Sequence, residues 1–329
     1  MGRRFATIKD VAARAGVSTA TVSRVINRDP KVSASTRKAV LEHMEELGYR
    51  VNPIARSLRS STTRTIGIIT PEFCNDFFMT LAEGIEEVLS EAGYTAFILN
   101  SRERLDLEQA RVQLLIEKQA DGAIVFPVGG KGEHFCALAA NDIPFVMVDR
   151  VIDGLRCDAV LTDNMWGAGR AVEAAIQDGA RTIGMIGGES TISSAHERYI
   201  GYRRALEQHG ITPDESIILF GDMHFASGYR LMGELLGIRP SIRYVFVANI
   251  YMRLGAEKYL SDHHAGSGIR FISFDSSPLQ SLFAHNYITV HQPYEQIGST
   301  AATLLLQRIR RECTAPPRVH RLKPEIIFH

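Results

Sequence analysis

No run of about 20 uninterrupted apolar residues, the length a membrane-spanning helix requires, occurs in the 329-residue chain. The opening Met1-Gly2-Arg3-Arg4-Phe5 carries no apolar core of a secretory signal, which sets the expectation of a cytoplasmic protein with no membrane partner. Cysteine is scarce. Cys74, Cys136, Cys157 and Cys313 stand far apart, with neither C-x-x-C nor Cys/His spacing. They read as reduced thiols rather than as a disulfide framework or a metal site, and neither metal nor cofactor is expected. Signatures of common catalytic sites are missing too: no G-x-S-x-G elbow, no H-E-x-x-H and no G-x-x-x-x-G-K-[ST] phosphate loop. Gly129-Gly130-Lys131-Gly132 looks superficially like part of the last, but lacks its spacing and its hydroxyl. An enzyme is therefore not expected, although doubly wound folds host many chemistries.

Net charge is absent as well, with 37 basic and 37 acidic residues, but the balance is uneven along the chain. Residues 1–64 hold 13 Lys and Arg against 5 Asp and Glu, leaving 24 basic and 32 acidic residues for the remainder. A basic end on an acidic body suits a nucleic-acid-binding headpiece joined to something else.

What is present in that end is helical. Thr7-Ile8-Lys9-Asp10 is an approximate capping box, and Ile8, Val11, Ala12 and Ala15 fall on one face before Gly16. Ser18 caps a second helix from Thr19 to about Ile26, and Ser33 a third with Val40, Leu41, Met44 and Leu47 on its apolar stripe. Asn52-Pro53 then starts a helix that can run only to about Arg59 before Ser60-Ser61-Thr62-Thr63. A helix shorter than roughly 12 residues is marginal alone, so this segment reads as a hinge that forms only when something holds it.

From Thr65 the pattern becomes alternating strands and helices. Apolar runs at 66–69, 95–99, 123–126, 145–148, 183–186, 245–248 and 271–274 predict buried parallel strands, with a last strand at Ile326-Ile327-Phe328-His329. Amphipathic segments lie between them, so the fold class is an all-α headpiece plus an α/β domain of two doubly wound lobes. Domains are expected at 1–50, hinge and linker at 51–64, and sensing domain at 65–329. Its first lobe takes about 65–161 and 293–318, its second about 162–292 and 319–329. Ligands in such folds sit beyond the carboxyl ends of the strands, between the lobes.

The run Thr7-Ile8-Lys9-Asp10-Val11-Ala12-Ala13-Arg14-Ala15-Gly16-Val17-Ser18-Thr19-Ala20-Thr21-Val22-Ser23-Arg24-Val25-Ile26-Asn27 resembles the headpiece of the lactose/galactose repressor (LacI–GalR) family. Leu47-Gly48-Tyr49, Asn52-Pro53, Ala55-Arg56-Ser57-Leu58, Val148-Asp149-Arg150, Thr162-Asp163-Asn164, Phe274-Asp275 and Val290-His291-Gln292-Pro293 continue the likeness in the same order. The resemblance implies a two-lobed body like the periplasmic binding proteins and a transcriptional regulator, expected to be a repressor. Its partners would be double-stranded operator DNA, a sugar-like small molecule (sugar, sugar acid or sugar phosphate) and a second copy of the chain on a palindrome. An activator, a corepressor-dependent switch and an exported sugar-binding protein are the alternatives.

Residue by residue, the resemblance implies that Thr19, Ala20 and Arg24 read bases in the major groove. It gives Thr7, Ser18, Thr21, Ser23, Asn27, Ser33 and Thr36 to the phosphates, each hydroxyl having a plain helix cap as its bland alternative. Asn52, Ala55, Leu58 and Arg59 would belong to the hinge on the minor groove, with Leu58 as a wedge between base steps. Asp149, Ser194, Arg198, Asn249, Asp275 and Gln292 match effector positions, with Phe73, Phe77 and Met223 as further candidates. Two departures limit the borrowing: Met223 stands where relatives place an aromatic ring, and Ile250 follows Asn249 where an Asp is usual. Stacking lost at Met223 is expected to vanish or pass to Phe225, and Trp166 is expected in lobe packing.

Overall fold

The computed structural model describes residues 6–26, 29–49, 62–266, 268–275 and 287–329. The chain forms two compact units, Met1–Thr63 and Arg64–His329.

In the first unit, α1 (Ile8–Arg14), α2 (Thr19–Ile26) and α3 (Ala34–Glu46) close on a small core of Val11, Ala12, Val22, Val25 and Val40. The capping box is complete: Asp10 N donates to Thr7 Oγ1 at 3.4 Å, and Thr7 N returns a bond to Asp10 Oδ2 at 2.8 Å. Gly16 takes left-handed backbone at φ 64°, making the turn between α1 and α2. Ser18 Oγ receives the Thr21 amide at 3.1 Å, and Ser33 Oγ receives that of Thr36 at 3.2 Å. Both expected caps therefore form.

The second unit holds two six-stranded sheets. Strands β1 (Thr65–Thr70), β2 (Thr95–Asn100), β3 (Gly122–Val125), β4 (Phe145–Val148), β5 (Asp158–Thr162) and β11 (Val319–Leu322) make the first, ordered β11-β5-β4-β3-β1-β2. Strands β6 (Ile183–Gly188), β7 (Ile218–Gly221), β8 (Tyr244–Val247), β9 (Arg270–Phe274), β10 (Tyr287–His291) and β12 (Glu325–Phe328) make the second, ordered β12-β10-β9-β8-β6-β7. The two orders correspond strand for strand. All described pairings are parallel except β10 with β12, where Ile288 faces Phe328. Sheet faces are covered by α4 (Asp76–Glu91), α5 (Leu105–Glu117), the short α6 (Cys136–Ala140) and α11 (Tyr294–Ile309) in the first lobe. Helices α7 (Asn164–Gln177), α8 (Ser193–Gln208), α9 (Phe225–Ile238) and α10 (Ile250–Asp262) cover the second. Each lobe buries its apolar strand residues against these helices, Ile66, Ile124 and Val146 on one side and Met185, Phe246 and Ile272 on the other.

The chain crosses between lobes three times, after β5, after β10 and between β11 and β12. One expected boundary is corrected. Residues 319–322 do not belong to the second lobe: β11 pairs with β5, Val319 facing Ala159, and the crossing falls at Lys323-Pro324. The half-exposed Val-His-Arg-Leu pattern marks an edge strand without naming its sheet.

Candidate effector cleft and DNA-reading face

Corresponding strands of the two lobes end in the same way. Asp149 follows β4 and Asp275 follows β9, with φ 68° and 71°, the left-handed region that Asp tolerates better than most side chains. Each amide is held across to the next strand, Asp149 N to Val160 O and Asp275 N to Val290 O, both at 3.1 Å. This bend turns both carboxylates into the cleft between the lobes, where Phe77, Ser194, Arg198, Met223, Asn249 and Gln292 also lie. Burial pushes both carboxyls above the usual carboxylate range; Arg150 and Arg198 oppose this at Asp149, and Arg198 opposes it at Asp275.

Arg198, on α8, is 3% exposed, with its guanidinium carbon 3.9 Å from the centroid of the Phe274 ring. Its Nε donates to Asn164 Oδ1 at 2.9 Å and its Nη1 to Ala248 O at 2.7 Å. Its Nη2 makes no hydrogen bond to a described residue. Burial lowers the guanidinium's proton affinity while Asp275 and Asp149 raise it, and the net direction is down.

Gln292 stands at the second crossing. Its Nε2 donates to Asp275 Oδ1 and its Oε1 accepts from Thr162 Oγ1, a residue at the first crossing. Tyr294, at the start of α11 in the opposite lobe, donates to the same Asp275 oxygen at 3.3 Å. The cleft carboxylate is thus wired to two of the three segments on which the lobes turn. Asn249 has a structural duty: it caps α10 by receiving the Met252 amide at 2.9 Å and donates to Met223 O at 2.8 Å.

Three comparisons set this geometry beside known proteins. The model of periplasmic binding proteins and the sugar-binding domain of the LacI family matches residues 63–323, and that of bacterial regulatory proteins of the lacI family matches 7–52. The chain is 34% identical over 328 residues to the HTH-type transcriptional repressor PurR of Aliivibrio fischeri, covering 98% of this chain and 97% of the relative. This chain belongs to the LacI family. Among solved structures it is similar to a transcriptional regulator CelR–cellobiose complex, with TM-score 0.75, 29% identity and 98% of each chain covered. It also shares its fold with a Lac repressor dimer bound to operator, with TM-score 0.86, 24% identity and 98% of each chain covered.

Within this LacI-family cleft, eight of the nine expected effector residues come together. The ninth does not: Phe73 is 44% exposed on the β1–α4 loop and lies outside it. A loop aromatic near a strand end is ambiguous in sequence, and here Phe77 and Phe78 turn inward instead. Phe78 is buried in the core, edge-on to Phe126 at 5.4 Å, and also lines the cleft. Phe225 does not replace the missing ring, being 44% exposed and outside the cleft; His224 lines it in its place. Trp166 also lies outside the cleft, with its ring under the Lys323 ammonium at 5.2 Å.

Sequence reasoning missed Glu72, Asn75, Glu103, Arg150, Ile250 and Tyr251 on the cleft wall. Tyr251 stands in the first turn of α10, with no local sequence signal of its role. Its hydroxyl reaches across the gap, donating to Cys74 O at 3.0 Å and accepting from Asp76 N at 3.3 Å. Ser193 bridges a second place, accepting from Val151 N at 2.9 Å. The cleft is drawn shut by these bonds.

On the headpiece, Ser18, Thr19, Ala20 and Arg24 are exposed on one side of α2, while Thr21 and Ser23 are half-buried. Ser33 is exposed and Thr36 half-buried at the start of α3. Arg24 Nε approaches Asp29 Oδ2 at 4.0 Å, an exposed contact too weak to withhold the guanidinium from a partner. Asn27 and the hinge candidates Asn52, Ala55, Leu58 and Arg59 lie outside the described residues. Among those described, no cluster of His, Cys, Asp and Glu suits a metal and no helix is long and apolar enough to cross a membrane.

Proposed function

We propose that this protein is a cytoplasmic transcriptional repressor without catalytic activity, acting as a homodimer on a palindromic operator. A sugar-like small molecule bound in the cleft sets its DNA affinity. One observation carries the reading: Asp275 shares a hydrogen-bonded chain with Gln292 and Thr162, so a ligand held by that carboxylate bears directly on two interlobe crossings. Vicinal hydroxyls would donate to Asp149 and Asp275, and Arg198 would grip a ring oxygen or hydroxyl. Ser194 completes the polar wall, and Phe77 and Met223 supply apolar surface.

On DNA, Thr19, Ala20 and Arg24 read base edges, while Thr7, Ser18, Thr21, Ser23, Ser33 and Thr36 meet phosphates. Arg24 offers guanine two donors and Ala20 offers thymine a methyl contact. The likeness to a regulator solved with cellobiose supports a sugar effector. Binding of the purified chain to DNA upstream of its own gene, titrated against sugars and sugar derivatives, tests the whole reading. A palindromic footprint released or tightened by one of them is the expected result; a footprint indifferent to all of them would remove the effector from the account.

A further inference from the structure

Arg102 and Glu103 are consecutive non-glycine residues in left-handed backbone, φ 53° and 52°. L-residues avoid this conformation, and it persists where surrounding structure fixes it. Here the β2–α5 loop is pinned: Arg102 N donates to Asn100 Oδ1 at 2.7 Å and Glu103 N to Pro71 O at 3.2 Å. The result is a carboxylate laid flat against Arg150. Nη1 and Nη2 of Arg150 each bond one Glu103 oxygen at 3.0 Å. The Arg150 Nε faces Asp149 Oδ2 at 3.3 Å, and Nη1 lies 3.5 Å from Pro127 O. Arg150 is only 6% exposed, so little of its guanidinium remains for a ligand.

The cleft wall therefore carries four carboxylates, Glu72, Glu103, Asp149 and Asp275, against two guanidiniums, one of them paired with Glu103 and Asp149. We propose that Glu103 is a charge lock on Arg150, positioning it so that the cleft takes neutral or cationic hydrogen-bond donors and refuses phosphorylated or carboxylate-bearing effectors. This deepens the reading of the cleft as an effector site and rests on it. Burial holds the Asp149 and Asp275 carboxyls high, so both gain from an incoming donor and lose from an incoming anion.

The test is thermal stabilisation of the full chain by matched probes: ribose, glucose, cellobiose and glucosamine against ribose 5-phosphate, glucose 6-phosphate and gluconate. Inorganic phosphate is run beside chloride at equal ionic strength. Stabilisation confined to the neutral and aminated probes is the expected outcome, and stabilisation by a phosphorylated or carboxylate probe overturns the proposal. A flat response to every sugar removes the sugar reading of the cleft, while the phosphate arm still decides the lock. In Glu103→Gln, Arg150 is released toward the cleft, and inorganic phosphate should give a saturable stabilisation that the parent lacks. Equal phosphate response in parent and folded variant overturns the lock. If the variant does not fold, a phosphate stabilisation of the parent still overturns the proposal.

Discussion

Asp275 is costly where it stands. Burial, only partly offset by Arg198 and by bonds from Gln292 and Tyr294, raises its carboxyl above the ordinary range. The folded chain thus keeps this proton to higher pH than the unfolded chain, and the stabilisation is full below the ordinary carboxylate range. It is lost as pH rises through the raised value, above which a desolvated charge remains. Asp275→Asn keeps an acceptor for Gln292 and removes that charge. Its melting temperature should exceed the parent's by roughly 2–4 °C at pH 8, as about 1 kcal/mol gives in a chain of this size, and the gap should close below pH 4. Effector response should be lost in the same variant; a lower melting temperature at pH 8 would show that the charge is compensated. Arg198→Ala should likewise abolish effector response while operator affinity stays within about twofold, since Arg198 lies in the sensing unit. For the headpiece, Arg24→Ala should weaken operator binding roughly ten- to a hundredfold, the worth of one bidentate guanine contact. Nonspecific DNA should be bound almost as before, and equal loss on both DNAs would make Arg24 a phosphate contact.

The helices are held together by glycine at their crossings. A methyl placed on Gly228 of α9 would run into the backbone of Met252, and one on Gly255 of α10 into the carbonyl of Phe225. The two helices pack backbone to backbone, with no side chain there to yield. Gly255→Ala should cost about 1–3 kcal/mol, read as a lower denaturation midpoint at unchanged slope. The same scale shows what a sequence can tell. Seven of the strands were legible because continuous Ile, Val, Phe and Ala runs admit little else between helices; six are inner, whereas β2, expected to be buried, is a largely half-exposed edge. Four were not: β5 and β10 begin with Asp158 and Tyr287 and carry polar residues inward, while β7 and β11 are half-exposed edges. The headpiece was legible to its caps, because Thr7, Ser18 and Ser33 act on residues three places away. Glu103 and Tyr251 were not, since their partners stand 47 and 177 residues away along the chain and no local pattern records that meeting.

At the scale of the whole sensing unit, the two lobes repeat one plan, and the cleft is built where corresponding strand ends face each other. The β4 and β9 ends give the paired aspartates, the β5 and β10 ends give Thr162 and Gln292, and the loops after β2 and β7 give Glu103 and Met223. Correspondence makes the unit suited to opening and closing as two stiff halves on three crossings. Tyr251 and Ser193 then act as separate clasps on one motion. Tyr251→Phe removes the first clasp and keeps the ring. If the halves move as rigid bodies, the loss of about 1 kcal/mol should speed hydrogen exchange about fivefold at Asp76 and, equally, at Val151, whose amide is held by Ser193. Faster exchange at Asp76 alone would mean that the β1–α4 loop frays by itself while the lobes stay shut. Rigid-body opening also predicts that an effector spanning Asp149 and Asp275 restores protection at both amides in the variant. A ligand can shift the equilibrium only by its preference for the closed form, so recovery at Val151 measures that preference directly.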